Sequence, residues 1–101
     1  MIGKLPKKIR AVVELLNLKA TPPIPVKVEV GKPEGAHADI QVENGKFVIT
    51  LDSRLTTSIA THFLVHEWAH ALVWTGGSLI EDHSDAWALV HGRLYRLVFE
   101  E

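Results

Sequence analysis

The chain has 101 residues, 47% hydrophobic and 23% charged, which is one domain's worth of sequence with enough apolar material for a packed core. Eleven Lys and Arg against twelve Asp and Glu leave a formal net charge of −1, so the composition argues against a nucleic-acid partner and a membrane surface. Cysteine is absent, which excludes disulfide scaffolds, thiolate zinc ribbons, iron–sulfur sites and cysteine nucleophiles; any metal must be held by Asp, Glu or one of six histidines.

The start, Met1 to Arg10, is basic but lacks the apolar run and cleavage site of an export signal. No stretch approaches the ~18 apolar residues of a membrane span. A soluble, cytoplasmic protein is expected. Leu5 to Lys19 carries Ile9, Val12, Val13 and Leu16 at helical spacing, with Lys7, Lys8, Arg10 and Glu14 between them. It reads as an amphipathic helix ended before Thr21-Pro22-Pro23, its basic face a solvated surface.

Three strands follow. Ile24, Val26, Val28 and Val30 alternate with Lys27 and Glu29, and Gly31 to Gly35 is turn chemistry. Ala38, Ile40 and Val42 alternate with Asp39, Gln41 and Glu43. Asn44-Gly45 is a two-residue hairpin signal, and Phe47, Ile49 and Leu51 return. The hairpin register pairs Glu43 with Lys46, Val42 with Phe47, Ile40 with Ile49 and Ala38 with Leu51. Opposite charges then meet at the turn and apolar residues on one face.

Asp52-Ser53 can open the next helix. Arg54 to about Thr75 is apolar on most sides, as a buried helix is, and Thr75-Gly76-Gly77 can stop it. Ser84 or Asp82 can cap a last helix running towards Phe99, with Trp87, Val90, Leu94 and Val98 as its stripe. The expected fold is a single α+β domain over residues 1–101, with helices on one face of a three-stranded, mainly antiparallel sheet.

The buried helix holds His66-Glu67-Trp68-Ala69-His70, an H-E-x-x-H motif. Residues i and i+4 lie one above the other on a helix, so both imidazoles can reach one zinc ion. Glu67 can reach a water there without ligating the metal and can serve as general base. By residue frequencies the motif arises by chance in fewer than about one in a hundred chains this short. The plainer reading, three core polar groups satisfied by hydrogen bonds, has to meet the cost of burying them. A hydrolytic zinc site usually has a third protein ligand. Glu81, Asp82, His83 and Asp85 are the candidates. His83 is favoured because the glycine turn can fold it back onto the first helix. Asp82 and Asp85 are then partners for a ligand imidazole, or reserve ligands.

These residues carry a family resemblance. H-E-W-A-H-A, a glycine turn, then D-H-S-D-A-W, with Gly92-Arg93-Leu94-Tyr95-Arg96 further on, resembles the SprT-like zincin metallopeptidases in their small phage and bacterial forms. The resemblance covers the last half of the chain in motif and the whole chain only in order of elements, as a minimal zincin core. It implies one zinc ion on His66, His70 and His83, Glu67 as catalytic acid/base, and a peptide or protein as substrate. Ser84 stands where that family has glycine after its third histidine, and the cysteine ribbon of longer relatives has no counterpart, so a DNA-linked role is not expected. Val73 occupies the glycine position that the metzincin pattern requires.

Two other functions are weighed. YbeY-like endoribonucleases also use three histidines on a short α+β domain. Their helix lacks the glutamate, however, and their third ligand lies closer than the twelve residues separating His70 from His83. A non-catalytic, zinc-stabilised binding module would have no need of Glu67. Among the other histidines, His37 reads as surface and His62 as a satisfied flank residue. His91 can reach an oxyanion only if its helix crosses the site, and Tyr95 lies too far along that helix. Gly92 suggests a close helix approach. Trp68, Trp74 and Trp87 read as core. A peptide could add to the sheet along either hairpin strand, Ala36 to Glu43 or Lys46 to Leu51.

Overall fold

The computed structural model describes residues 5–34, 37–76 and 83–100. Three helices, α1 (Lys7–Lys19), α2 (Thr57–Leu72) and α3 (Asp85–Phe99), accompany three strands, β1 (Val26–Gly31), β2 (Ala38–Glu43) and β3 (Lys46–Asp52). The fold is α+β, with α1 leading, the strands following and two helices closing the chain.

The hairpin register agrees residue by residue with the expectation from its alternation: Ala38 faces Leu51, Ile40 faces Ile49, Val42 faces Phe47 and Glu43 faces Lys46. Asn44 and Gly45 both take positive φ, 52° and 75°, as the two central residues of a tight hairpin turn require. The sheet as a whole differs from the expected mainly antiparallel arrangement. Its order is β1-β3-β2, and β1 runs parallel to β3, with Val26 opposite Phe47 and Val30 opposite Leu51. β1 and β2, consecutive in the chain, are therefore not neighbours; β3 lies between them.

This insertion gives the sheet two distinct faces. Val26, Val28, Val30, Ala38, Ile40, Val42, Phe47, Ile49 and Leu51 share one face. Of these, Ile40, Phe47, Ile49 and Leu51 join the buried core with Ile9 and Leu16 of α1, Leu64, Val65 and Trp68 of α2, and Leu94 of α3. The other face is polar: Lys27 pairs with Glu29 at 3.6 Å, and the Thr50 hydroxyl donates to Glu29 at 3.4 Å. Val48 is buried even so, since central strands lose solvent on both sides.

α1 presents Ile9 and Leu16 to the core and leaves Lys7, Lys8, Arg10 and Glu14 exposed, as the spacing predicts. α2 departs from expectation at both ends. It does not begin at Asp52-Ser53. The Asp52 carboxylate is held by Arg54, through its backbone N–H at 2.9 Å and its guanidinium at 3.1 and 2.7 Å. Thr56 is the N-cap instead, its hydroxyl accepting from the Ile59 N–H at 3.3 Å. The helix also stops at Leu72, short of Thr75. Outside the helix, Trp74 packs edge-on against Phe47 at 5.3 Å between ring centroids. Gly76 follows with φ 103°, while Gly77 lies outside the described residues. α3 is capped by Ser84, whose hydroxyl accepts from the Trp87 N–H at 3.2 Å; Asp82, the other capping candidate, lies outside the described residues.

α2 packs against β2 and β3 on one side and against α1 and α3 on others. Among the described residues no helix is long and apolar enough to cross a membrane.

Candidate metal centre

α2 is apolar nearly all round, so its placement in the middle of the domain carries its few polar residues inward. Glu67 and His70 keep only 2% and 3% of their surface exposed, while His66 is half-buried. His66 and His70 are one turn apart, with ring centroids separated by 5.1 Å. Glu67 and His70 are i and i+3 neighbours on the same helix. The third histidine comes from elsewhere. His83 sits one residue before the Ser84 cap, exposed, and the start of α3 brings it over α2. Its ring centroid lies 5.0 Å from that of His66 and 5.2 Å from that of His70.

The ligating nitrogens of His66, His70 and His83 all lie within 4.8 Å of one another, and no other described residue joins this cluster. The Nε2 atoms of His66 and His83 are 3.2 Å apart. Two nitrogens on a tetrahedral zinc at 2.0–2.1 Å stand about 3.3 Å apart, so this pair already has the spacing of co-ligands. An N–H···N hydrogen bond has a similar length, but it does not require a third imidazole to converge on the same point. Three neutral nitrogen donors suit zinc, and a three-histidine set leaves a fourth tetrahedral position for water or substrate.

Asp85 is exposed in the first turn of α3, where a negative charge suits the helix N-terminus, and it stands outside the nitrogen cluster. Glu81 and Asp82, the other acidic candidates, lie outside the described residues.

Trp87 departs from its reading as plain core. Its ring centroid lies 4.9 Å from that of His66, 5.4 Å from His70 and 4.5 Å from His83. Its indole N–H donates to the His66 carbonyl at 3.4 Å, tying α3 to α2 at the cluster. The four-residue spacing from the third histidine was visible in the sequence, but only the packing of α3 on α2 brings the ring to the cluster. Trp68 is core, fully buried with its indole N–H donating to the Ala20 carbonyl at 2.9 Å.

His91 continues from Trp87 by one turn and stacks on it, with ring centroids 4.7 Å apart and planes 13° apart. Its ring centroid is 6.1 Å from that of His66. Burial, then the nearby His62 and His83, push its pKa below the ordinary imidazole range. α3 thus does cross the site, the condition that sequence reading set for His91. His62 stacks on Phe99 at 4.3 Å and stands 5.8 Å from Tyr95, on the far side of His66 along α2. His37 is exposed, at 5.3 Å from Phe63. Gly92 does not mark a close helix approach: a methyl group there would meet nothing within 4 Å.

The chain has no significant match among protein-family models, curated proteins or solved structures.

Proposed function

We propose that the protein is a zinc-dependent peptide hydrolase of the SprT-like zincin type. The observation that carries this reading is the convergence of three imidazole nitrogens within 4.8 Å, two of them from the helix that also buries Glu67. A purely structural zinc site has no use for Glu67 as a base. His66, His70 and His83 hold one zinc ion. When bound, zinc supplies Lewis acidity, polarising a carbonyl and bringing a water's pKa from about 15.7 towards 7.

Glu67 takes a proton from the attacking water. As the C–N bond breaks, it passes that proton to the leaving amine, so the carboxylate returns to its starting state. The substrate lies as an extra strand along the sheet. Of the two hairpin strands considered for this, Lys46 to Leu51 is the central strand and has no free edge. β2 is an edge strand and packs beside α2, so Ala38–Glu43 is the hairpin strand to which an extended peptide would add. Unfolded or extended proteins in the cytoplasm are the substrate class this supports, because so small a domain has little room for deep side-chain pockets.

The test is Glu67→Gln, assayed on a denatured protein and a peptide library with the zinc-loaded chain. Hydrolysis falls by about 10²–10⁴-fold while bound zinc is retained. Full activity in the variant would overturn the mechanism. RNA cleavage that survives the substitution would favour the ribonuclease reading instead.

A further inference from the structure

α3 does more than present Trp87 to the cluster. The exposed side of the three-histidine site is the side of His66 and His83, since His70 is sealed in the core. A substrate carbonyl must approach from there. His91 is half-buried, its ring centroid 6.1 Å from that of the partly exposed His66, and it lies flat against the Trp87 indole. Stacking fixes the plane of its imidazole, and the indole is itself anchored to the His66 carbonyl. The ring is therefore held by stacking on an anchored indole, a contact that does not use its nitrogens.

We propose that His91 is a catalytic residue that donates an N–H hydrogen bond to the oxyanion formed when water adds to the scissile carbonyl. This inference rests on the peptidase reading above. Water adds to the carbonyl carbon, the carbonyl oxygen takes up the negative charge, and the charge returns to the carbonyl when the amine leaves. His91 gains and loses no proton in this cycle. A donor that meets charge only in the transition state lowers the barrier without tightening ground-state binding. Tyr95 is one turn further from the cluster, with its ring centroid 6.4 Å from that of His91, and faces His62 and Phe99 instead.

Three variants of the zinc-loaded chain separate this role from a packing role. His91→Phe keeps an aromatic ring against Trp87 but has no donor. His91→Ala loses both, and His91→Gln restores a donor without the ring. The expected result is a fall in kcat of about 100-fold in His91→Phe and His91→Ala, with KM and zinc content unchanged, and partial recovery in His91→Gln. Binding supplies a second readout. A phosphinic peptide, which mimics the tetrahedral oxyanion, binds His91→Phe more weakly by a similar factor, while a product peptide binds it as it binds the parent chain.

Parent-like kcat and phosphinic-peptide affinity in His91→Phe would overturn the proposal while leaving the peptidase reading intact. So would a loss of zinc in step with activity, which would make His91 a support for Trp87. Absence of Glu67-dependent hydrolysis in the parent chain would overturn the reading and this inference together.

Discussion

α2 and α3 are nearly equal in length, 16 and 15 residues, yet nine residues of α2 are buried and only Leu94 of α3 is. The difference divides the work at the site. α2 packs against the sheet and both other helices, so His66, His70 and Glu67 sit on a backbone that cannot shift without opening the core. α3 packs on α2 along one face and leaves Leu89 and Tyr95 in solvent. The exposed His83 stands just before its cap, and α3 itself contributes Trp87, packed against His83, and the stacked His91. On the proposed function, α2 would be the rigid half that sets the metal position and the α3 side the open half that admits substrate.

The contrast can be broken most directly by truncation. Leu64→Ala removes a fully buried side chain from α2 and should cost about 2–5 kcal/mol in urea denaturation. Leu89→Ala, at a position 61% exposed on α3, should change stability by no more than about 0.5 kcal/mol. Equal costs would mean that α3 is as deeply packed as α2. Zinc sharpens the comparison. At a free concentration 100 times its dissociation constant, zinc should stabilise the parent chain by about 2.7 kcal/mol. His83→Ala should lose that increment. With chelator present, its unfolding midpoint should match the parent's, because His83 is exposed and packs into no core.

Smaller effects test the open side of α3 and the entry to α2. Gly92→Ala should stabilise the chain by about 1 kcal/mol, since the position is helical with space around it and alanine is the better helix former. Destabilisation would show that something closes on that surface. At the start of α2, hydrogen bonds from the Arg54 side chain and backbone bring Asp52 from an ordinary 3.8 to about 2. A carboxylate with a depressed folded-state pKa stabilises the fold above its unfolded pKa, and that contribution fades as pH falls through the folded value. Arg54→Ala should therefore lower stability at pH 7 and reduce the further loss between about pH 4 and pH 2, read by denaturation at several pH values. An unchanged acid profile would remove Asp52–Arg54 from the account.

The parts legible in sequence are those set by local periodicity. Alternating apolar residues on both sides of Asn44-Gly45 specify the hairpin and its register, because a slip by one residue would turn Phe47, Ile49 and Leu51 out of the core. The i, i+4 histidines and the Ser84 cap are likewise local. The parallel pairing of β1 with β3 was not legible, since Val26, Val28 and Val30 offer the same apolar face to either neighbour. The true start of α2 was hidden because Asp52 is as good a cap in sequence as Thr56. Only the Arg54 guanidinium, which takes its carboxylate, removes it from that role. The part played by Trp87 needed the crossing of α3 over α2, which no spacing within α3 encodes.

The central claim is that His66, His70 and His83 hold zinc, and elemental analysis of the untagged protein beside its His83→Ala variant tests it most directly. The account predicts about one zinc per chain in the parent, largely lost in the variant. Folded protein that carries no metal and takes up none when zinc is added would contradict it, and the hydrolase reading would fall with the site.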